Sequence, residues 1–234
     1  MFPDDVSIMI QTLLSVFSPM LLGAQILLTL VLVKGDICPG QRGRIHRVLP
    51  AIGVLWLAVA SLKIEAFLVV FSIFYFYSQV QTKKTRDEGP LWALYLANGL
   101  ALAYVAIQIS EQGHWSASIA MLLLVGLLGA SFSHLLLTIA RSRLQAFHRV
   151  LPVVGILCSM GIALCVVPHA YGLDDETLAQ ATLPLLTTFG FMIAGIIVWC
   201  WHILFAKSAE KIQLTAALLL MLAASICFQG LFNL

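Results

Sequence analysis

An apolar run over residues 48–77 is broken once, by Lys63-Ile64-Glu65. No other stretch constrains the fold as much. Read through, the run is one long helix and the chain has seven membrane spans. If the chain turns back at the break, it has eight, in two sets of four. That these are membrane spans follows from the charges. Only 10% of the residues are charged and 61% are hydrophobic, too few charges to cover a soluble domain of this length. Backbone polar groups in lipid must be satisfied internally, which leaves helices or a closed barrel. The apolar runs are continuous rather than alternating, which excludes the barrel. The sequence predicts an all-α integral membrane protein.

The apolar runs cover residues 6–33, 48–62, 66–80, 91–109, 117–140, 150–167, 181–206 and 212–231. Placement of Lys and Arg decides between the two topologies, because cytoplasmic loops collect them. With eight spans and the N-terminus outside, the segments 34–47, 81–88, 141–149 and 207–211 all face the cytoplasm. They hold twelve of the thirteen Lys and Arg residues, Lys63 being the exception. With seven spans, the four basic residues of 34–47 oppose the eight of the other three segments. Eight spans are therefore expected. The cost is a second and a third span of about 15 residues each, against about 20 for a typical span. Neither Gly nor Pro marks the turn between them.

An internal repeat points the same way. His46-Arg47-Val48-Leu49-Pro50-Ala51-Ile52-Gly53 recurs as His148-Arg149-Val150-Leu151-Pro152-Val153-Val154-Gly155. With eight spans these strings open the second and sixth helices in the same orientation. The expected architecture is eight transmembrane helices as two parallel four-helix repeats, residues 1–110 and 111–234. The bland account of the shared string is a basic flank followed by a first-turn proline. Met1-Phe2-Pro3-Asp4-Asp5 has no basic n-region, so no cleaved signal peptide is expected. The five cysteines form no CxxC pair and no ligand spacing, so neither a disulfide frame nor a cysteine-bound cluster is expected, and no haem or metal is expected in this chain.

Candidate site residues cluster on the outer side of the eight-span topology. Lys63 and Glu65 lie at the edge of the bilayer, where ionisable groups are rare and often functional. A carboxylate there is able to take a proton from a quinol as its electrons leave. The competing account is a lysine and a glutamate capping a tight turn, with the lysine stem snorkelling to the surface. Glu111, His114 and Trp115 fall on the same side, with Gln108 one turn below Glu111. His114 and Trp115 are able to bond and stack on a quinone ring, although Trp at a membrane boundary is the ordinary aromatic belt. His134 and His202 raise the question of b-type haem, but core histidines are the simpler account. Asn98 reads as helix–helix glue. Asp174-Asp175-Glu176 reads as a solvated face or an outer docking surface.

The order of these features resembles the DmsC-type membrane anchor subunit of dimethyl sulfoxide reductase complexes. The resemblance is carried by Leu32-Val33-Lys34-Gly35-Asp36 closing the first span and by Val54-Leu55-Trp56 in the second. Glu65-Ala66 with Ile73-Phe74-Tyr75 follows in the third, Arg149-Val150-Leu151-Pro152 opens the sixth, and a Leu-rich helix over 218–232 closes the chain. The resemblance implies an eight-span inner (cytoplasmic) membrane anchor with a periplasmic N-terminus that oxidises menaquinol near the outer face. Its electrons would pass to an iron–sulfur subunit and then to a subunit holding a molybdenum cofactor. In that family a His after the second span and the Glu opening the third are tied to quinol binding. Glu65 matches the second. The histidine and its connecting segment have no counterpart here, and Lys63 near the gap is a different group. Two rivals remain open: a purely structural anchor without quinone turnover, and a small four-plus-four transporter. A transporter is expected to have polar or broken helices at the midplane, and these spans are nearly uncharged there.

Overall fold

The computed structural model describes residues 4–80, 88–141, 145–172 and 174–232. Among them the chain forms α1 (Asp4–Lys34), α2 (Pro39–His46), α3 (Leu49–Ala60), a 3-10 turn (Ile64–Ala66), α4 (Phe67–Gln79), α5 (Leu91–Ser110), α6 (Trp115–Ile139), α7 (Gln145–Tyr171), α8 (Asp175–Leu204) and α9 (Lys211–Phe232). Seven stretches are long and apolar enough to cross a membrane, and Ile64–Gln79 is a shorter apolar helix.

The break at Lys63–Glu65 is a reversal of the chain. Gly53 of α3 faces Phe74 of α4, and His46 of α2 meets Phe76 edge-on at 5.4 Å. Earlier residues on one helix meet later residues on the other, so the pair is antiparallel. The turn needs no glycine. Ser61 stays right-handed helical and Lys63 is extended, with φ −134° and ψ 117°. Ala66 N–H then bonds the Lys63 carbonyl at 3.2 Å.

Two expectations change here. The second span is not short, because it starts at Pro39, well before Val48, and runs to Ala60. The supposed basic loop 34–47 is largely helix α2, with Pro39 in its first turn and Arg42 paired to Glu88 at 3.0 Å. Pro50 then sits in the first turn of α3, where its missing N–H is tolerated. Its repeat counterpart Pro152 lies inside α7, which begins at Gln145 and takes in His148 and Arg149. The third span rests on α4 alone, whose 13 residues cover about 20 Å at 1.5 Å per residue.

Contacts at both ends fix the helix directions. Ser15 near the start of α1, Ala117 and Met121 near the start of α6, Gln108 near the end of α5 and Gln229 near the end of α9 line one cavity. The start of α1 therefore lies beside the start of α6, and the ends of α5 and α9 lie with them. Lys63 and Glu111 meet at this end, as do His114 and His169. The Arg42–Glu88 pair and the contacts of His134 with His148 and His202 mark the other end. Lys34, Arg42, Arg44, Arg47, Arg141, Arg149, Lys207 and Lys211 belong to that end by helix direction, and Lys63 to the first. Lys83, Lys84, Arg86 and Arg143 lie outside the described residues.

The centre of the bundle is α1 against α6, the two most buried spans. They touch at Gly23 and Gly129. A Cβ on Gly23 would stand 2.1 Å from the Val125 carbonyl oxygen and 2.8 Å from the Gly129 Cα. Small residues allow this backbone approach, which is how helices gain packing energy in lipid. Polar bonds also join α1 to α3 and α5. The Trp56 indole donates to Gln25 Oε1 at 3.1 Å, Thr29 Oγ1 donates to the Gln25 carbonyl at 2.8 Å, and Asn98 Nδ2 donates to Thr29 Oγ1 at 3.0 Å. Asn98 thus links α5 to α1.

Candidate functional site

The turn between α3 and α4 packs beside the end of α5, and their side chains enclose a cleft of about 460 Å³. That volume lies within the range of about 300–1,000 Å³ typical of small-molecule sites. The lining is Leu62, Lys63, Ile64 and Glu65 from the turn and Tyr104, Ile107, Gln108 and Glu111 from α5 and its cap. The α5 contribution follows from helix geometry, since positions 104, 108 and 111 share one face at spacings of four and three.

Lys63 Nζ donates to both Glu111 carboxylate oxygens, at 2.9 and 2.8 Å. The bond to Glu111 lifts the Lys63 ammonium above the ordinary lysine range, with Tyr104 and Glu65 adding to the effect. A lysine whose pKa is raised on folding adds stability below its unfolded pKa, and that stability is lost as pH rises through the folded value. The pair is therefore intact across neutral pH. Its side chains are 48% and 52% exposed, so it adds little stability. Glu65 lines the same cleft without being the carboxylate that holds Lys63.

Gln108 is fixed from behind. Its Oε1 accepts from the Ser18 hydroxyl, and its Nε2 donates to the Ser15 carbonyl at 3.2 Å. It also lines a second cavity of about 100 Å³ between α1, α5, α6 and α9, walled by Ser15, Gln112 and Gln229 among others. Gln108 thus stands between the open cleft and a small chamber at the same end of the bundle.

The fold brings Lys63, Glu65, Gln108 and Glu111 together and leaves His114 and Trp115 apart from them. His114 precedes α6 and stands edge-on to His169 at 5.5 Å. Trp115 is 64% exposed, as befits an interfacial tryptophan. Asp174, Asp175 and Glu176 are the cap and first turn of α8, where negative charge offsets the helix dipole. Tyr104 was not among the expected site residues, although its spacing from Gln108 and Glu111 would have revealed it.

The opposite end of the second half holds a different cluster. Trp199 Nε1 donates to His134 Nδ1 at 2.9 Å, and His134 Nε2 contacts His148 Nδ1 at 2.8 Å. An indole nitrogen only donates. His134 therefore carries its proton on Nε2 and passes a hydrogen bond to His148. His202 Nδ1 lies 2.8 Å from the Trp199 carbonyl oxygen, and its Nε2 lies 3.1 Å from that of His148. Gly155 makes room for Trp199, whose ring would stand 2.1 Å from a Cβ there. The His134 ring lies 5.0 Å from that of His148 and 5.3 Å from that of His202, which leaves no space for a macrocycle between them. Among the described residues no group of three or more His, Cys, Asp or Glu is arranged to hold a metal ion. The cluster ties α6, α7 and α8 together. His148 was missed because its segment reads as a basic loop. The helix-forming Gln145-Ala146-Phe147 before it was the available signal.

A Haemophilus influenzae protein described as "Uncharacterized protein" is 28% identical to this chain, over 75% of this chain and 71% of that protein. No solved structure matches. A family model described as an integral membrane domain matches residues 5–232. With nearly its whole length matched, the chain belongs to that family of integral membrane domains.

Proposed function

We propose that this chain is the eight-span inner-membrane anchor of a redox complex and takes electrons from menaquinol at the Lys63–Glu111 cleft. The observation that carries the reading is the cleft itself. It sets two carboxylates, a lysine and an amide beside aliphatic walls at the end of the bundle poor in basic residues. Aliphatic Leu62, Ile64 and Ile107 suit an apolar ring, while Glu65 and Glu111 suit its hydroxyl protons. The electrons leave to an iron–sulfur subunit docked on the outer face, and from there to a subunit with a molybdenum cofactor. The eight-span, four-plus-four architecture is part of the same proposal. It is supported by the reversal at Lys63 and by the matched positions of Gly53 under Phe74 and Gly155 under Trp199.

Purification from native membranes in mild detergent, followed by mass spectrometry, tests the reading. The expected result is co-purification with an iron–sulfur protein and a naphthoquinone. A lone, monodisperse chain without quinone would overturn it. A purely structural anchor is the second reading, favoured by a cleft in which no histidine appears among the lining residues. It is distinguished by partner chains that co-purify without quinone.

The topology has its own test. Cys38 lies at the basic end and is exposed, so it is expected to face the cytoplasm. In a variant that keeps Cys38 as its one cysteine, an impermeant thiol reagent added to intact cells should leave it unlabelled, and lysis should expose it. Labelling of intact cells would reverse the orientation.

A further inference from the structure

Quinol oxidation releases two protons, and the cleft contains two carboxylates in different bonding states. Glu111 is held by Lys63 through both oxygens, and Glu65 lines the same space without that bond. Resting on the quinol reading above, we propose that Glu111 is the second base of the reaction, freed when Lys63 exchanges it for the oxygen of the singly deprotonated ring.

The first hydroxyl O–H breaks, its proton forms an O–H bond on the Glu65 carboxylate, and one electron leaves to an iron–sulfur cluster of the partner subunit. Between the loss of that proton and the departure of that electron the ring oxygen is anionic, and its charge attracts the Lys63 ammonium. Lys63 turns from Glu111 toward that oxygen, and Glu111 becomes free to accept. The second O–H breaks, Glu111 takes the proton, and the second electron leaves by the same route. The products are the quinone, two protonated carboxyls and two reduced clusters. Both carboxyls are at the water-facing end and return their protons to the outside.

The geometry favours exchange over a permanent pair. Both partners of the ion pair are about half exposed, and such pairs are weak because water competes for each charge. A lysine stem has enough rotatable bonds to swing its ammonium between acceptors in one cleft. The charged and titratable groups facing Glu111 are Lys63 and Glu65 from the turn and Tyr104 from α5. A single base would have to shed its first proton before taking the second, whereas two carboxylates accept both within one encounter.

The test uses the native membrane complex, a short-chain naphthoquinol as donor and a one-electron dye as final acceptor. In E111Q, kcat is expected to fall by about a hundredfold, as for loss of a positioned base, with KM nearly unchanged. E111D, which keeps a carboxylate, is expected to recover part of the loss. The acid side of the pH profile is the sharper readout. Two bases that must both be ionised make log turnover fall with a slope of two as pH drops, and E111Q reduces that slope to one. A structural role for Glu111 leaves the slope unchanged. An unchanged slope and kcat in an assembled E111Q complex would overturn the proposal while leaving the quinol site standing. If the unaltered complex neither binds nor oxidises the naphthoquinol, the quinol reading itself falls, and this inference with it.

Discussion

Replacing Gly23 with alanine is expected to destabilise the bundle by about 3 kcal/mol or more, the upper end of the usual cost of overpacking. The added Cβ would stand 2.1 Å from the Val125 carbonyl oxygen and 2.8 Å from the Gly129 Cα. Both neighbours are backbone, so no side chain can rotate away. The helices must separate, and α1 and α6 are the two most buried spans. The same argument applies from the other side, because a Cβ on Gly129 would stand 2.5 Å from the Gly23 Cα. Thermal unfolding in detergent measures the effect, with an expected Tm loss of about 6–12 °C at about 2–4 °C per kcal/mol. Gly99 and Gly190 provide the control. A Cβ on either meets nothing within 4 Å, and alanine in a helix is favoured over glycine by up to about 1 kcal/mol. Those two variants should be neutral or slightly more stable. A Gly23→Ala protein that melts with the unaltered chain would show that α1 and α6 do not meet at this point.

The reversal at Lys63–Glu65 was legible because two charges inside an apolar run cost too much at membrane depth to be accidental. The helical character of residues 39–46 was not. Arg42, Arg44 and His46 give that segment the composition of a loop. Burial of Ile45 and His46 and the pairing of Arg42 with Glu88 make it helix, and both are tertiary effects. His148 escaped for the same reason, since its meaning lies in His134 and Trp199, which are distant in sequence. Gly23 and Gly129 could not be singled out among sixteen glycines, because composition does not say which face of a helix meets another. The cleft was more legible than the core. Lys63, Glu65, Gln108 and Glu111 are polar residues at helix ends in an apolar chain, and topology alone assigns them to one side. Topology does not say which of them touch. His114 and Trp115 share that side and stand elsewhere.

Glu65→Gln is expected to lower menaquinol-driven turnover by about a hundredfold, the low end of what a positioned base contributes, while the complex still assembles. Glutamine keeps the shape and an acceptor oxygen but cannot take a proton near neutral pH. Glu65 is exposed and stands in a 3-10 turn whose fold does not depend on its side chain. The turn is closed through backbone, by the Ala66 N–H on the Lys63 carbonyl, so the substitution should leave the α3–α4 reversal intact. Lys63 remains held by Glu111 in the variant, and the charge of that pair is undisturbed. Under the proposed reaction, what changes is the first proton acceptor. With Glu65 gone, the first hydroxyl proton has no free carboxylate in the cleft, and the electron cannot leave without raising the energy of a protonated radical. Turnover with a donor that reduces the partner's clusters directly should be unaltered, because that route bypasses the cleft. The two assays together separate the possible outcomes. Loss of both would mean that Glu65 holds the complex together. Retention of full quinol-driven activity would make Glu65 a turn residue and remove the chemical role assigned to it.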